Sequence, residues 1–217
     1  MIRILLTALF ILPFSSDIYA ESPQIIPISH FSITGIKNWK HKIFKGKNNY
    51  KIVKFGNKQV LFASSQGTAS GLIKEQKIDL TKTPFLNWSW RIENRLGKLN
   101  EQSKSGDDYA ARIYVIINGG IFFWNTYALN YVWSSNSETE RIWPNAYAGK
   151  HTMMIAVRSS QDPIKTWLVE KRNVASDLKK IYGKEFQYID GIAIMTDTDN
   201  SMKNATSYYG KIYFSKK

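Results

Sequence analysis

Residues 85–93 restrict the fold of this chain more than any other stretch, because apolar and polar side chains alternate along them from Leu86 onward. Side chains two residues apart lie on the same side of an extended strand. The two sides are therefore Leu86, Trp88, Trp90 and Ile92 against Asn87, Ser89, Arg91 and Glu93. This period of two predicts a half-buried β-strand, and the two tryptophans predict that its apolar side packs in a core.

Similar short segments recur along the chain, separated by residues that favour turns. Tyr50–Phe55 and Gln59–Ala63 flank Gly56-Asn57, a pair suited to a two-residue hairpin. Further strands are predicted over Gln24–Ile28, Gly71–Lys74, Lys77–Leu80, Tyr109–Ile117, Phe122–Trp124, Leu129–Ser134, Thr152–Arg158, Trp167–Lys171, Tyr188–Met195 and Ser207–Phe214. Two stretches are expected to be irregular: Phe31–Asn48, with Trp39 as a buried anchor, and Asn136–Tyr147.

One segment has the period of a helix. In Val174–Tyr182, Val174, Leu178 and Ile181 share a face, Asn173 can cap the first turn, and Gly183 suits the end. Many short strands, a single helix and no alternation of strand with helix predict an all-β fold, an antiparallel jelly-roll-like β-sandwich with one short helix. No internal boundary divides residues 21–217, which are expected to form a single domain.

The first twenty residues have the pattern of a secretory signal peptide. Arg3 supplies a positive charge, Ile4–Phe14 an apolar segment, and Ile18-Tyr19-Ala20 a cleavage site. No later apolar run reaches the length of a membrane span. We therefore expect residues 1–20 to be removed, no transmembrane segment afterwards, and a protein that is periplasmic or secreted. A retained N-terminal anchor is the alternative.

Cysteine is absent from the sequence. This excludes disulfides, thiol-linked lipid anchors, thiolate metal sites and cysteine nucleophiles. The three histidines, His30, His41 and His151, are far apart, so neither a histidine zinc site nor a Ser-His-Asp triad is expected.

The formal net charge is +13, and many of the lysines lie between Lys37 and Lys58. Attraction to an acidic glycan or another acidic envelope polymer is one interpretation, and a solvated basic surface is the other. The sequence contains no recognisable nucleic-acid-binding motif, so we do not expect nucleic acid as a partner.

The densest group of polar residues runs from Gly106 to Val115. Asp107 and Asp108 lead into a strand on which Arg112 and Tyr114 share one face. The two acids are candidates to orient Arg112 toward a ligand, or alternatively to accept hydrogen bonds from loop amides. If the protein is an enzyme, its catalytic groups must be carboxylates, with Asp107 and Asp108 as the main candidates and Glu170 and Asp190 as further ones.

Asp197, Asp199 and Asn200 place three oxygen-bearing side chains in one short loop, which is a ligand set that calcium uses. The spacing departs from the twelve-residue calcium loop, because Met202 stands at the sixth place and Tyr208 at the twelfth. An ordinary Asx-rich turn is therefore the alternative, and no cofactor is otherwise expected.

The polar sides of several strands could together line a groove. Arginine, amide and aromatic side chains are suited to hydroxyl-rich or anionic ligands. The predicted ligand-binding residues are Arg91, Asp107, Asp108, Arg112, Tyr114, Asn130 and Arg158, with Asn87 and Ser89 on the same polar sides. A solvated sheet face with cross-strand pairs is the alternative.

Five stretches resemble a secreted bacterial family, domain of unknown function 3047: Gly106–Arg112, Leu129–Ser135, Trp143–Gly149, Ile189–Asn200 and Tyr208–Ile212. The resemblance covers the chain from about residue 50 onward and implies no particular activity. In architecture the end of the chain is also similar to jelly-roll carbohydrate-binding and galactose-binding-like domains. In many of those modules the last strand starts with an acid that helps to hold calcium. Lys211 takes that place here, so the resemblance does not support that metal.

These patterns predict an exported envelope protein that binds a glycan or a related envelope ligand. Two alternatives stay open, namely a glycan hydrolase or lyase that uses Asp108 with a second carboxylate, and a structural envelope protein without a small ligand.

Overall fold

The computed structural model describes residues 24–29, 31, 32, 34–118 and 126–217. The predicted signal peptide, His30 and the predicted strand Phe122–Trp124 lie outside these residues.

The described residues contain thirteen strands, one α-helix and one short 3-10 helix. In chain order the strands are β1 (Ile25–Pro27), β2 (Lys40–Lys45), β3 (Asn49–Phe55), β4 (Lys58–Gln66), β5 (Ala69–Asp79), β6 (Phe85–Ile92), β7 (Arg112–Ile117), β8 (Tyr127–Trp133), β9 (Ile142–Asn145), β10 (Gly149–Arg158), β11 (Leu168–Asn173), β12 (Tyr188–Asp197) and β13 (Asn204–Ser215). The α-helix, α1, is Val174–Tyr182, and the 3-10 helix is Lys104–Gly106.

Two sheets form the predicted jelly-roll-like β-sandwich. The six-stranded sheet has the order β11-β6-β13-β4-β3, and β1 pairs with β13. The seven-stranded sheet has the order β2-β5-β12-β7-β8-β10-β9. Strands that are distant in sequence are therefore neighbours in both sheets. Such neighbours are typical of a Greek-key topology, in which a long connection brings a later strand beside an earlier one.

The core lies between the two sheets, and the apolar side chains of residues 85–93 point into it. Trp88 and Trp90 on β6 are fully buried together with Leu86 and Ile92. The ring of Trp88 stacks on that of Tyr131 from β8 in the opposite sheet, with centroids 5.3 Å apart. The strand prediction for this stretch and the prediction that its tryptophans are core residues are both confirmed.

Helix α1 has the predicted bounds and caps. The Asn173 side chain accepts a hydrogen bond from the Ser176 backbone N–H, and Gly183 ends the helix in the left-handed conformation that glycine adopts readily. The helix packs beside β6 and β11.

One strand pair departs from the antiparallel prediction. Among the described residues, β8 and β10 pair in parallel and every other strand pair is antiparallel. A parallel pair needs a long crossover. The stretch predicted to be irregular, Asn136–Tyr147, provides it and contains β9, which pairs antiparallel with β10 at the sheet edge.

Two further predictions are corrected. The segments Gly71–Lys74 and Lys77–Leu80 belong to one strand, β5. The second half of β5 pairs only with β12. Polar side chains there are exposed to solvent, and this polar run has the character of a turn in the sequence. The stretch Phe31–Asn48 contains edge strand β2, whose lysines concealed the strand pattern, although Trp39 is buried as predicted. None of the helices among the described residues has the length and apolar character needed to cross a membrane.

Candidate functional site

A cleft of about 460 Å³ lies on the outer face of the seven-stranded sheet. Its lining comes from six strands and three loops: Phe44, Lys45, Ala69, Asp107, Arg112, Tyr114, Asn145, Tyr147, Ala148, Thr152, Met195, Asp197, Asp199 and Asn200. The cleft therefore joins Asp107, Arg112 and Tyr114 to Asp197, Asp199 and Asn200, two groups that the sequence presented separately.

Strand register explains how these residues meet. Ile113 and Val115 of β7 point into the core, so Arg112 and Tyr114 point to the outer face. Arg112 is the direct neighbour of Met195 on β12. Asp197 lies two residues beyond Met195 and hence on the same face.

Arg112 forms a buried ion pair with Asp197. Its Nη2 atom lies 2.7 Å from Asp197 Oδ2, with 5% and 1% of the two side chains exposed. The guanidinium also lies 5.1 Å from the ring centroids of both Tyr109 and Tyr114. Burial by itself would lower the pKa of Arg112, but the charge of Asp197 opposes it and the pKa stays raised. The sequence predicted that Asp107 and Asp108 orient Arg112, whereas the carboxylate that pairs with Arg112 is that of Asp197.

Asp108 has a structural role in this geometry. It is fully buried, and its carboxylate accepts hydrogen bonds from the backbone N–H groups of Asn200 and Ser201 and from the Asn200 side chain. It does not line the cleft. Asp108 therefore follows the alternative interpretation, in which the acid accepts hydrogen bonds from loop amides. The amides belong to the loop after β12 and not to the loop that contains Asp108.

Of the two adjacent acids Asp107 and Asp108, Asp107 is the one that lines the cleft. The side-chain amide of Asn145 binds its carboxylate. Burial raises the pKa of Asp107, while the positive charge of Arg112 and the hydrogen bond from Asn145 oppose that shift.

Asp197 is almost completely buried at the end of β12. Burial raises its pKa well above the ordinary value, Arg112 opposes the rise, and the charges of Asp107, Asp108 and Asp199 add to it. Asp199, which is partly exposed, has a pKa raised by burial and by the charge of Asp108. Asp108, Asp197 and Asp199 each offer an oxygen within 4.8 Å of the others, so these carboxylates could hold a cation.

Two exposed aromatic residues flank the polar floor of the cleft. Phe44 on β2 is 62% exposed and Tyr147, just after β9, is 58% exposed. Tyr147 Oη donates a hydrogen bond of 2.5 Å to Asn200 Oδ1. Because β2 and β9 are the two edges of the sheet, the two rims come from opposite edges. Sequence reasoning missed both aromatics: Phe44 lies in the basic stretch, and Tyr147 lies in a motif noted only for its resemblance.

Besides Asp108, three predicted ligand-binding residues lie outside the cleft. Arg91 is on the other sheet, where it pairs with Glu93 and stacks over Phe55. Arg158 is held by Glu170 and Asp162. Asn130 lies opposite Tyr114 but is fully buried and does not line the cleft. The prediction of one groove containing all these residues is therefore wrong.

The remaining candidate carboxylates are also elsewhere. Glu170 binds Arg158 and the Trp90 indole N–H, while Asp190 accepts the backbone N–H of Asn118. A larger groove of about 690 Å³ on the six-stranded sheet is lined by Lys58, Lys211 and Trp167 among others. Of the polar strand residues predicted to line a groove, Ser89 contributes to it. Among the residues that the structure describes, the carboxylates lining the smaller cleft are those of Asp107, Asp197 and Asp199.

The model of the family described as "Protein of unknown function (DUF3047)" matches residues 37–213, which is most of the chain. The chain belongs to that family. The match confirms the resemblance seen in the sequence motifs and extends it from about residue 50 to residue 37 of this DUF3047 protein. No curated protein matches its sequence.

Several solved structures are distantly similar to the DUF3047 chain. The family 30 carbohydrate-binding module of a Clostridium thermocellum cellulosomal cellulase is 9% identical, with 82% of this chain and 90% of the module covered and a TM-score of 0.48. A cellulase derived from Cel12A of Rhodothermus marinus is 10% identical, with 89% and 100% covered and a TM-score of 0.44. The active domain of tailspike protein 4 of bacteriophage CBA120 is 11% identical, with 88% of this chain but 21% of the tailspike chain covered and a TM-score of 0.46. At these values the structures do not assign a ligand.

Proposed function

We propose that the protein binds a glycan in the cleft between Phe44 and Tyr147. The observation that carries this proposal is the pair of exposed aromatic rings on opposite rims of a polar floor. A sugar ring has apolar C–H faces and a polar edge of hydroxyl groups. Rings on the rims can pack against the faces while carboxylate and amide groups on the floor bind the edge.

The floor offers more acceptors than donors. Asp107, Asp197 and Asp199 line it, and Asn145 and Asn200 add side-chain amides. Hydroxyl groups donate readily to carboxylates, and such charge-assisted hydrogen bonds are stronger than neutral ones. The buried Arg112 helps to keep Asp197 in place and does not offer a free positive charge, because Asp197 occupies it.

The charge of the floor favours a neutral glycan over an acidic one. Three carboxylates line the cleft against two positive groups, Lys45 and Arg112. An anionic polymer would bring a like charge toward this floor, whereas a neutral polysaccharide meets no such repulsion. The basic character of the whole chain thus does not extend to the cleft.

Binding can be tested by affinity electrophoresis of the purified protein against neutral polysaccharides, peptidoglycan and lipopolysaccharide at low and high salt. We expect retention by at least one neutral polymer that persists at high salt, because stacking and hydrogen bonding are screened less than surface charge. Tyr147→Ala and Phe44→Ala should each weaken binding roughly tenfold. Tyr188→Ala is the matched control, since Tyr188 is an exposed aromatic of the same sheet outside the cleft. Retention by no neutral polymer, or unchanged affinity in both rim variants, would contradict the proposal.

Carboxylate-dependent glycan hydrolysis is a second candidate, favoured by the raised pKa values of Asp107 and Asp197 in the same cleft. A carboxyl group that keeps its proton can serve as a general acid opposite an ionised partner. The pair would be Asp107 with Asp197, and Asp108 would not take part. Release of soluble oligosaccharide that stops in Asp107→Asn but continues in Asp190→Asn would support hydrolysis, while retention without product supports binding alone.

We also propose that residues 1–20 are removed during export and that residues 21–217 act as one β-sandwich domain in the periplasm or outside the cell. The signal pattern of the sequence supports the first statement. One buried cluster that draws residues from Ile28 to Phe214 supports a single domain. The location follows from the signal pattern alone. Mass spectrometry of the exported protein tests the cleavage, and a mass that retains residues 1–20 would contradict it.

A further inference from the structure

The cluster of Asp108, Asp197 and Asp199 carries an inference that goes beyond glycan binding. We propose that these three carboxylates hold a calcium ion beside the cleft. The three residues come from the loop before β7, the end of β12 and the loop after it, and one oxygen of each lies within 4.8 Å of the others. Three carboxylates without a nitrogen or sulfur ligand favour a hard cation, and calcium accepts such irregular oxygen sets.

One atom of the cluster points independently to a ligand. Asp197 is 1% exposed, and its Oδ1 atom is buried without a hydrogen-bond donor among the described residues. Arg112 binds only the other oxygen, Oδ2. A buried carboxylate oxygen without a partner is costly, and a bound cation would remove that cost.

A second oxygen nearby is in the same condition. The Oγ atom of Ser201 is buried and has no partner among the described residues. The backbone N–H of the same residue donates to Asp108 Oδ2, so Ser201 lies next to the carboxylates. A hydroxyl oxygen is a suitable additional ligand for calcium.

The local charge matches a divalent cation. Four carboxylates, of Asp107, Asp108, Asp197 and Asp199, influence one another across this region, and the positive groups beside them are Arg112 and Lys45. With each group counted at its full charge, the set carries a formal charge of −2. Lys45 Nζ binds the backbone oxygen of Asp199 at 2.9 Å, so it leaves the carboxylate oxygens available.

The loop that supplies two of the ligands is held in position by other contacts. Asp108 binds the N–H groups of Asn200 and Ser201, and Tyr147 binds the Asn200 side chain. Asp197 and Asp199 line the cleft, which gives an ion a route from solvent. A fixed loop with solvent access loses little conformational freedom when the ion binds.

Calcium binding can be measured on the purified, chelator-treated protein by titration calorimetry and by thermal unfolding with CaCl₂ or with NaCl of matched ionic strength. We expect one site per chain and a rise in the unfolding midpoint with CaCl₂ that NaCl does not reproduce. Terbium can serve as a second probe, and calcium should displace it. Tyrosine is expected to sensitise its luminescence, because Tyr147 binds Asn200 next to Asp199, and Tyr109 contacts Arg112, the partner of Asp197.

The decisive variant is Asp199→Asn. Asp199 is partly exposed and does not pair with Arg112, so the variant should fold while calcium affinity falls at least tenfold. Asp197→Asn should lose binding as well, but it also disturbs Arg112. Asp190→Asn is the matched control, since it removes the same charge from β12 at a position away from the cleft. Absence of calcium binding, an equal effect of NaCl, or full affinity in Asp199→Asn would each overturn the proposal. No readout contains a glycan, so the result is independent of the proposed function.

Discussion

The side chain of Asn145 holds Asp107 and Tyr147 at the same time. Its Nδ2 atom donates to both oxygens of Asp107, at 3.1 and 2.9 Å, and its Oδ1 atom accepts the backbone N–H groups of Tyr147 and Ala148. One amide thus connects a floor carboxylate to the aromatic rim. Asn145 follows Pro144 at the end of edge strand β9, where the chain turns back toward β10.

Replacement of Asn145 should therefore loosen the rim without unfolding the protein. In Asn145→Ala we expect glycan affinity to fall roughly tenfold and the free energy of unfolding to fall by about 1–3 kcal/mol, because several hydrogen bonds are lost. Urea unfolding and affinity electrophoresis measure the two effects. Asn94→Ala is the control, since the Asn94 side chain also makes two backbone contacts, to Asn204 and Thr206, but outside the cleft. A loss of affinity in the control that equals the loss in Asn145→Ala would contradict this role.

The Arg112–Asp197 pair should have a large effect on stability. Arg112→Ala leaves Asp197 buried and without its charged partner, and we expect a loss of about 3–5 kcal/mol in the free energy of unfolding. The double variant Arg112→Ala with Asp197→Asn should lose less than the sum of the losses in Arg112→Ala and Asp197→Asn. A double-mutant cycle by urea unfolding checks this, and simple additivity would show that the pair does not act as a unit.

The N-terminal cap of α1 gives a separate test of the fold. Asn173→Ala removes the acceptor for the Ser176 N–H, and we expect the free energy of unfolding to fall by about 1 kcal/mol. Asn173→Asp keeps the acceptor and should retain most of the stability. Equal destabilisation by both variants in urea unfolding would argue against the capping contact.

His41 predicts a dependence of stability on pH. Burial and the charge of Lys47 lower the pKa of His41 below 6.5, and its Nε2 atom lies 2.9 Å from Ser70 Oγ. Because the folded state disfavours the charged ring, the unfolded state takes up the proton first as the pH falls. This contribution is therefore complete above the unfolded pKa and decreases from there down to the folded pKa.

The measurement is a comparison of urea unfolding midpoints at pH about 7.5 and about 5.5, which bracket an ordinary histidine pKa. The raised pKa values of Asp107, Asp197 and Asp199 act in the opposite direction, so the difference between the original protein and His41→Gln is the relevant quantity. We expect the original protein to lose more stability on acidification than His41→Gln. Identical losses would exclude a contribution from His41.

The sequence predicted the strands with uniform alternation and could not predict those with mixed character. Residues 85–93 and the hairpin at Gly56-Asn57 follow local rules, and the structure has them as predicted. Strand β2 was missed because its lysines lie at an exposed edge, where the apolar face that marks a strand is weak. The parallel pairing of β8 with β10 depends on a crossover and therefore on tertiary structure.

The same distinction applies to the candidate site. Alternation placed Arg112 and Tyr114 on the outer face correctly, because it is a property of one strand. The partner of Arg112 is 85 residues away on a strand that becomes a neighbour only in the folded sheet. Long-range pairings of this kind leave no trace in local spacing, which could point only to the nearby acids Asp107 and Asp108 as the groups that orient Arg112.

The two rims also lie at the two edges of the seven-stranded sheet, on β2 and just after β9. Sheet edges carry unpaired backbone groups that can pair with another chain, and lysine or proline at an edge opposes this. Strand β2 carries Lys40, Lys42 and Lys45, and β9 contains Pro144, so both edges have such protection. Some of the lysines of this basic chain thus oppose self-association at a sheet edge. A polymer that spans both rims would cover the two edges further.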